Sequence, residues 1–300
     1  PSETPPASSP TQEPPAEKYS VQFVSLLPNN PVWRSIGDCM ATRFDELGVD
    51  FTESGTSGEA IDVTAMVTQI QHATSIGKQA ILSHQADDTI SQVMKQAQEA
   101  GVITGSIYGT ADGADFVVGL DWYQIGKVKY VETIAEREGP QVVGLVVPND
   151  TGIAKEWMDG FKEGAAATSN VTVAGAVFTN DDSSKALDQV TALLTAHPDI
   201  NVIASFMASV NQGAAAAITN KGLVGEVVLV GNGPTNGGQE ALDAGIAYKM
   251  LLNPFCDAGT AAADTTVAWL SGDESTAFVP ADPSFFGKDE FEAKLKEGWA

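Results

Sequence analysis

Groups that do chemistry are scarce in this chain. Three His, two Cys and 16 basic residues are all that its 300 positions contain. No HExxH, GxSxG, GxxxxGKS/T or EF-hand loop occurs, so metalloprotease, serine-hydrolase, P-loop and calcium chemistry lack their usual signatures. Neither Cys39 nor Cys256 sits in a CxxC or Cys/His spacing, which leaves no zinc motif, and two cysteines are too few for a disulfide scaffold. In an exported protein they can pair; equally, each can be a separate buried thiol. Basic charge is outnumbered by 39 acidic residues for a net charge of −23, a surface that repels phosphates and anionic headgroups. Nucleic acid and a membrane face are therefore excluded as partners. No apolar run approaches the roughly 20 residues that span a bilayer.

The length, with 43% hydrophobic residues, suffices for one large or two ordinary domains. Residues 1–18 hold six prolines among Ser, Thr and Glu with no aromatic, a composition that cannot build a core. They are expected to be a disordered tether. Such a spacer suits a secreted protein joined at its amino end to a lipid anchor after a signal segment is removed, and a disordered tail is the plainer alternative.

From Tyr19 onward, short β-branched runs alternate with helical periodicity. Strands are expected at Val21–Leu27, Val49–Glu53, Ala80–His84, Val102–Ile107 and Phe116–Asp121. Between them, sets such as Trp33, Ile36, Met40, Phe44 and Leu47, or Ile61, Ala65, Met66, Ile70 and Ala73, recur at three- and four-residue spacing. The pattern then repeats, with strands at Val142–Val147, Val171–Phe178, Val202–Phe206, Val227–Gly231 and Ala247–Leu252. The first four begin 121, 122, 122 and 125 residues after their counterparts. Helices carrying Ile153, Trp157, Phe161 and Ala165, then Leu187, Val190 and Leu194, lie between. A helix at Gly259–Leu270 and a short strand near Thr276–Val279 follow. The expected fold is α/β, two doubly wound parallel-sheet lobes joined by connecting strands, with a ligand cleft between the lobes.

The stretch Leu27–Trp33, LPNNPVW, breaks a buried strand at Pro28 and enters a helix at Pro31. It brings Asn30 and Trp33 to the carboxyl edge of a sheet, where open α/β sheets bind ligands. Amides that donate and accept, beside an aromatic face, suit a hydroxyl-rich molecule; an ordinary N-cap with Trp33 in the core is the competing reading. Other strand ends supply His84, Gln85, Asp87 and Tyr108 in the first half. In the second half they supply Asn149, Lys155, Asn180, Asp181, Phe206, Met207 and Asn232, and the crossovers add Asp121, Trp122 and Asn253. Asp87 and Asp181 can equally be helix caps, Trp157 reads as core, and His197 as part of a surface turn. The glycine-rich Leu229–Gly238 misses the GxGxxG spacing, so it reads as a tight turn with Asn232 and Asn236 as donors.

With these residues in view, the chain resembles the periplasmic sugar-binding proteins of the ribose type, within the pentose, rhamnose and autoinducer branch of ABC-transporter solute receptors. The resemblance spans Tyr19 to Trp299 and rests on NNP at 29–31, AQEAGV at 97–102, GLD at 119–121, DGF at 159–161 and LLTAHPDI at 193–200. LNPFCDAG at 252–259 and FFGKDEF at 285–291 are closer to the rhamnose and autoinducer members. It implies crossovers near Asp121, Asn253 and Phe285, hence lobes of 19–120 plus 253–284 and of 121–252 plus 285–300. It also implies ligand-contact roles for Asn30, Trp33, Asp121, Lys155, Asp181 and Asn253. Where ribose receptors carry an Asp-Arg pair this chain has Ser106 and Ile107; Lys155 replaces an Arg, and Met207 an Asn. A Lys point charge does not replace an Arg fork on a diol.

The expected function is that of an extracellular or periplasmic, lipid-tethered monomer. It closes by a hinge on a small neutral sugar, sugar alcohol or furanosyl signal and hands it to an ABC-importer permease, without a cofactor, a metal or a catalytic step. A sugar-sensing regulator and an interlobe sugar enzyme using Asp121 with Asp181 are the rival classes. The first lacks a helix-turn-helix pattern, and the second lacks a catalytic motif.

Overall fold

The computed structural model describes residues 18–56, 58, 61–85 and 87–300, so the expected tether lies outside the described residues except for Lys18. The β-branched runs form two six-stranded sheets. The first holds β1 (Ser20–Val24), β2 (Asp50–Ser54), β3 (Ala80–Ser83), β4 (Ile103–Ile107) and β5 (Phe116–Gly119). The second holds β6 (Gln141–Val147), β7 (Val171–Phe178), β8 (Val202–Ser205), β9 (Val228–Asn232) and β10 (Ala247–Leu252). Two short strands, β11 (Phe278–Pro280) and β12 (Ser284–Phe286), complete them. The orders β11-β5-β4-β3-β1-β2 and β12-β10-β9-β8-β6-β7 are the same path traced twice. Each sheet reverses direction of winding at its first strand, the topological switch point of doubly wound sheets.

Helices return the chain between parallel strands. They are α1 (Pro31–Glu46), α2 (Val63–Ser75) and α3 (Asp88–Glu99) in the first half, then α4 (Trp122–Gln124) and α5 (Val131–Ala135) after the first crossing. The second sheet is served by α6 (Gly152–Ala167), α7 (Ser183–Ala196), α8 (Asn211–Asn220) and α9 (Gly238–Asp243). Finally α10 (Phe255–Leu270) and α11 (Lys288–Lys296) flank the two short strands. Fully buried Phe23, Phe44 and Phe116 anchor the first core, which also takes Ala258, Ala262 and Ala263 from α10. The second sheet has a core on each face, one around Leu193, Ile218 and Leu229, the other around Trp157, Phe161 and Phe206.

Three expectations are corrected. β1 ends at Val24, not Leu27, because its neighbour β2 stops at Ser54 and the chain there bends towards Pro28. Parallel pairing holds for every described strand pair but one: β12 runs antiparallel to β10, Leu251 opposite Phe285, having entered the second sheet directly from β11 of the first, three residues away. Ile61 and Ile153, placed by spacing on buried stripes, are 48% and 51% exposed. Ile61 precedes the first turn of α2, and Ile153 lies in the first turn of α6.

The run 122–135 was not anticipated as helix. α4 passes through a π-helical stretch, Ile125–Tyr130, into α5, and the whole lies directly on α6. Glycine makes that approach possible: a Cβ on Gly160 would stand 2.1 Å from the Tyr123 carbonyl oxygen, and one on Gly126 would stand 2.2 Å from that of Trp157. Tyr130, fully buried, donates to the Ser205 carbonyl at 2.7 Å and packs edge-on against Trp157 and Phe285, at 4.9 and 4.7 Å between ring centres. A π-turn places this one aromatic between α6, β8 and β12.

The two cysteines are paired. Cys39 of α1 and Cys256 in the first turn of α10 form a disulfide, Cα to Cα 5.3 Å, across 217 residues of sequence. It ties the helix that leaves the second crossing to the first lobe. Loop closure of that length is worth about 5 kcal/mol in the chain-entropy picture. The double variant Cys39→Ala/Cys256→Ala is expected to lose about 2–5 kcal/mol of stability in urea unfolding, and dithiothreitol is expected to destabilise the natural chain while leaving the variant unaffected.

Candidate functional site

Because strands within each sheet are parallel, the turns that follow them emerge at one edge. At the end of β1, Asn30 caps α1: its Oδ1 accepts from the Val32 backbone N–H at 3.0 Å, with Pro31 at the first helical position. The N-cap reading of this stretch holds, with Trp33 part of the first core. Asn30 is an exposed N-cap, and Trp33 is largely buried, 9% exposed, with its ring edge-on to His84 at 5.3 Å. A pocket of about 320 Å³ beside it is lined by Leu27, Asn29, Asn30, Pro31 and Gly58.

His84, after β3, has Nδ1 3.0 Å from the Ile107 carbonyl oxygen. That oxygen can only accept, so Nδ1 carries the proton and Nε2 is the ring's acceptor. Burial lowers the imidazole's pKa, outweighing the opposing pull of the Ile107 carbonyl. Tyr108, after β4, has a left-handed backbone with φ of 56° and turns its ring onto Phe255 at 5.4 Å. Its hydroxyl is buried without a partner, and burial raises its pKa, the Asp257 charge adding to the shift. Left-handed backbone is costly for an aromatic residue.

His84 and Tyr108 line a cavity of about 430 Å³ together with Gln85, Gly109, Thr110, Val117, Gly119 and Leu120 of the first lobe, Phe278 of β11, and Trp122 and Ile153 beyond the first crossing. Trp122 stands edge-on to Phe206 at 4.7 Å. Beside it, Asp121 caps α4 through a 3.0 Å bond from the Gln124 N–H to its Oδ1, which leaves the other carboxylate oxygen outside the cap. At the second crossing, the Asn253 and Ala300 backbones exchange two hydrogen bonds, and Asn253 Oδ1 is buried without a partner.

The remaining residues lie elsewhere on the second lobe. Lys155, half exposed, is paired along α6 with Asp159. Asp181 is exposed in left-handed backbone, φ 59°, and accepts from Ser209 Oγ at 3.3 Å; the helix cap is its neighbour Asp182. Met207 is partly buried against the Trp157 and Phe206 core. Asn232, 8% exposed, donates from Nδ2 to the Phe206 carbonyl at 2.8 Å while its own carbonyl accepts from Asn211 Nδ2. Its side chain braces β9 against the end of β8. The glycine-rich turn is a tight turn, with positive φ at Gly233, Asn236 and Gly237. Asp87 is the N-cap of α3, Trp157 is fully buried, and His197 ends α7 as its C-cap.

Thus His84, Tyr108 and Trp122 share one cavity, Trp33 supports His84 from behind, Asp121 adjoins Trp122, and Asn30 borders a separate pocket. Gly109, Thr110, Ile153 and Phe278 were not singled out as site residues. The exposure of Phe278 is invisible in a strand pattern, and the spacing of Ile153 matched the buried stripe. Among the described residues no group of three or more His, Cys, Asp or Glu is arranged to hold a metal ion, and no helix is long and apolar enough to cross a membrane.

Residues 21–274 match the family model described as periplasmic binding protein domain. The ribose import binding protein of Escherichia coli K12 is 25% identical over 270 residues, covering 88% of this chain and 89% of that protein. A periplasmic ribose ABC transporter structure from Conexibacter woesei superposes with a TM-score of 0.79 at 20% identity, covering 94% of this chain and 95% of that one. A sugar-binding protein of a sugar ABC transporter from Bacillus halodurans gives 0.80 at 16% identity, covering 92% and 99%. Likeness at these identities speaks for the fold.

The neutral state of His84 makes stability depend on pH. With its folded pKa below the ordinary 6.5, the unfolded chain binds the proton first, so stability is complete above about pH 6.5 and falls as the pH drops below it. His84→Gln is expected to flatten the decline in thermal midpoint between pH 7.5 and 5, and an unchanged slope in the variant would contradict the assignment.

Proposed function

This chain belongs to the periplasmic binding protein domain family, and we propose that it captures a small neutral sugar, sugar alcohol or furanosyl signal outside the cytoplasm and delivers it, unaltered, to an ABC importer. The observation that carries the reading is the cavity shared by the two lobes beside the crossovers, lined by His84, Tyr108 and Trp122 and by no charged side chain. Names of the relatives point the same way: ribose import for the enteric protein, ribose and sugar ABC transport for the solved structures. A lipid anchor on the amino-terminal side of the proline-rich segment would hold the monomer near its permease.

Within this reading the lobes are 19–120 plus 253–284 and 121–252 plus 285–300, and they close about the crossovers. His84, Tyr108 and Trp122 form the aromatic wall, with Trp33 packed against His84. Asp121 and Asn253 sit at the hinge, each with an acceptor oxygen outside its structural bonds. Asn30, Lys155, Asp181, Met207 and Asn232 occupy strand ends that closure brings towards the ligand. Lys155 can reach a hydroxyl by leaving Asp159, since an exposed pair costs under about 1 kcal/mol to break. Micromolar affinity, about −8 kcal/mol, needs only a few hydroxyl bonds and a stacked ring. Part of that free energy goes into closure when the closed form is rare.

Scanning fluorimetry against a panel of pentoses, hexoses, deoxysugars and polyols is expected to show a stabilising shift, about 2.7 kcal/mol at a hundredfold excess over Kd. Trp122→Ala and Asp121→Ala are expected to reduce affinity at least tenfold. Trp33→Phe is preferable to Trp33→Ala, because truncating so buried an indole costs about 3–5 kcal/mol of stability. Recovery of the bound sugar unchanged supports capture; a converted product would mark an enzyme.

A further inference from the structure

Two large apolar side chains from opposite lobes lie on the wall of the shared cavity and remain open to solvent. Phe278 of β11 is 43% exposed, and Ile153 of α6 is 51% exposed. Leu120 and Val117 extend the same wall, and none of the cavity's lining residues is charged. Hydroxyl groups alone are poor partners for such a surface, because a polyol makes no better contact with it than water does. Polar groups on the cavity include acceptors on His84 and Gln85 beside the Thr110 hydroxyl and the Trp122 indole. His84 offers Nε2, its Nδ1 being held by Ile107, and buried Gln85 has Nε2 on the Gly113 carbonyl at 3.3 Å with Oε1 lacking a partner in the chain. A volume of about 430 Å³ falls in the range of roughly 300–1,000 Å³ that takes drug-sized ligands.

We infer, resting on the sugar-capture reading, that the ligand is an uncharged sugar derivative bearing an apolar substituent. Its hydroxyls donate to His84 and Gln85, and the substituent lies among Val117, Leu120, Ile153 and Phe278. Placement of Phe278 and Ile153 on different lobes gives the substituent a second effect: it bridges the two bodies and favours their closed arrangement, since a ligand shifts a conformational equilibrium only through differential contacts. Removing either residue therefore weakens the derivative selectively. The parent sugar is held by the polar groups and Trp122, so the ratio of the two affinities within one variant reads the loss of the apolar contact.

Isothermal titration of matched pairs tests this: ribose, arabinose, xylose, rhamnose, allose and galactose against their phenyl β-glycosides. For a sugar that binds, the phenyl glycoside is expected to bind at least tenfold more tightly. In Phe278→Ser and Ile153→Ser that advantage, read as the ratio of glycoside to parent-sugar affinity within each variant, disappears, and Phe278→Trp retains it. Circular dichroism and the parent-sugar titration verify that each variant is folded. Binding of a parent sugar with no gain for its glycoside, or a gain that survives both serine variants, overturns the inference and leaves sugar capture standing. Failure of every sugar and every glycoside to bind overturns sugar capture and this inference with it.

Discussion

Parallel pairing is the constraint from which the molecule's shape follows. A parallel neighbour cannot be reached through a tight turn, so each strand hands over to a helix that returns the chain, and every turn leaving a strand opens at the same edge. In the first sheet that edge gathers Trp33 after β1, His84 and Gln85 after β3, and Tyr108 after β4. Repetition of the strand order in the second sheet sets Asp181, Met207 and Asn232 at its corresponding edge. The site is thus a consequence of topology twice applied, and no single loop contains it.

Joining two such sheets raises a second problem, which the crossings solve unequally. The first passes straight into the helical run 122–135, clamped on α6 by glycine contacts and by the buried Tyr130. The second leads into α10, which the Cys39–Cys256 disulfide and the contact of Gly259 with Ile36 fasten to α1. The third is the short link between β11 and β12. The first two crossings are thus held on the lobes they enter, and in the proposed closure bending falls to the few residues around Asp121, Asn253 and 281–283. Exposed ion pairs such as Arg43 with Asp264 decorate this framework and contribute little beside the buried cores.

The cavity's chemistry is set by burial more than by charge. Net charge is strongly negative, yet the cavity wall has no charged side chain. Desolvation keeps His84 neutral, and that neutrality converts it from a cation into a fixed acceptor beside Trp33. Under the proposed reading, a surface so composed suits uncharged molecules with hydroxyl donors.

Much of the architecture was legible in order of residues alone. Alternating β-branched runs and helical stripes, repeated at a nearly constant offset, require two similar parallel-sheet lobes, because local side-chain period depends on neighbours in sequence. The Asn30 cap at Pro31 was readable for the same reason. Tertiary structure decided what depends on distant partners: that Cys39 meets Cys256 across 217 residues, that β12 turns antiparallel, and that the run after Asp121 is a helix seated on glycine. It decided too that Asn232 is spent on bracing β8, and that Ile153 and Phe278 face a shared cavity instead of a core. A residue's type and spacing state whether it prefers to be buried; only the packing of elements far apart in the chain determines whether anything is there to bury it.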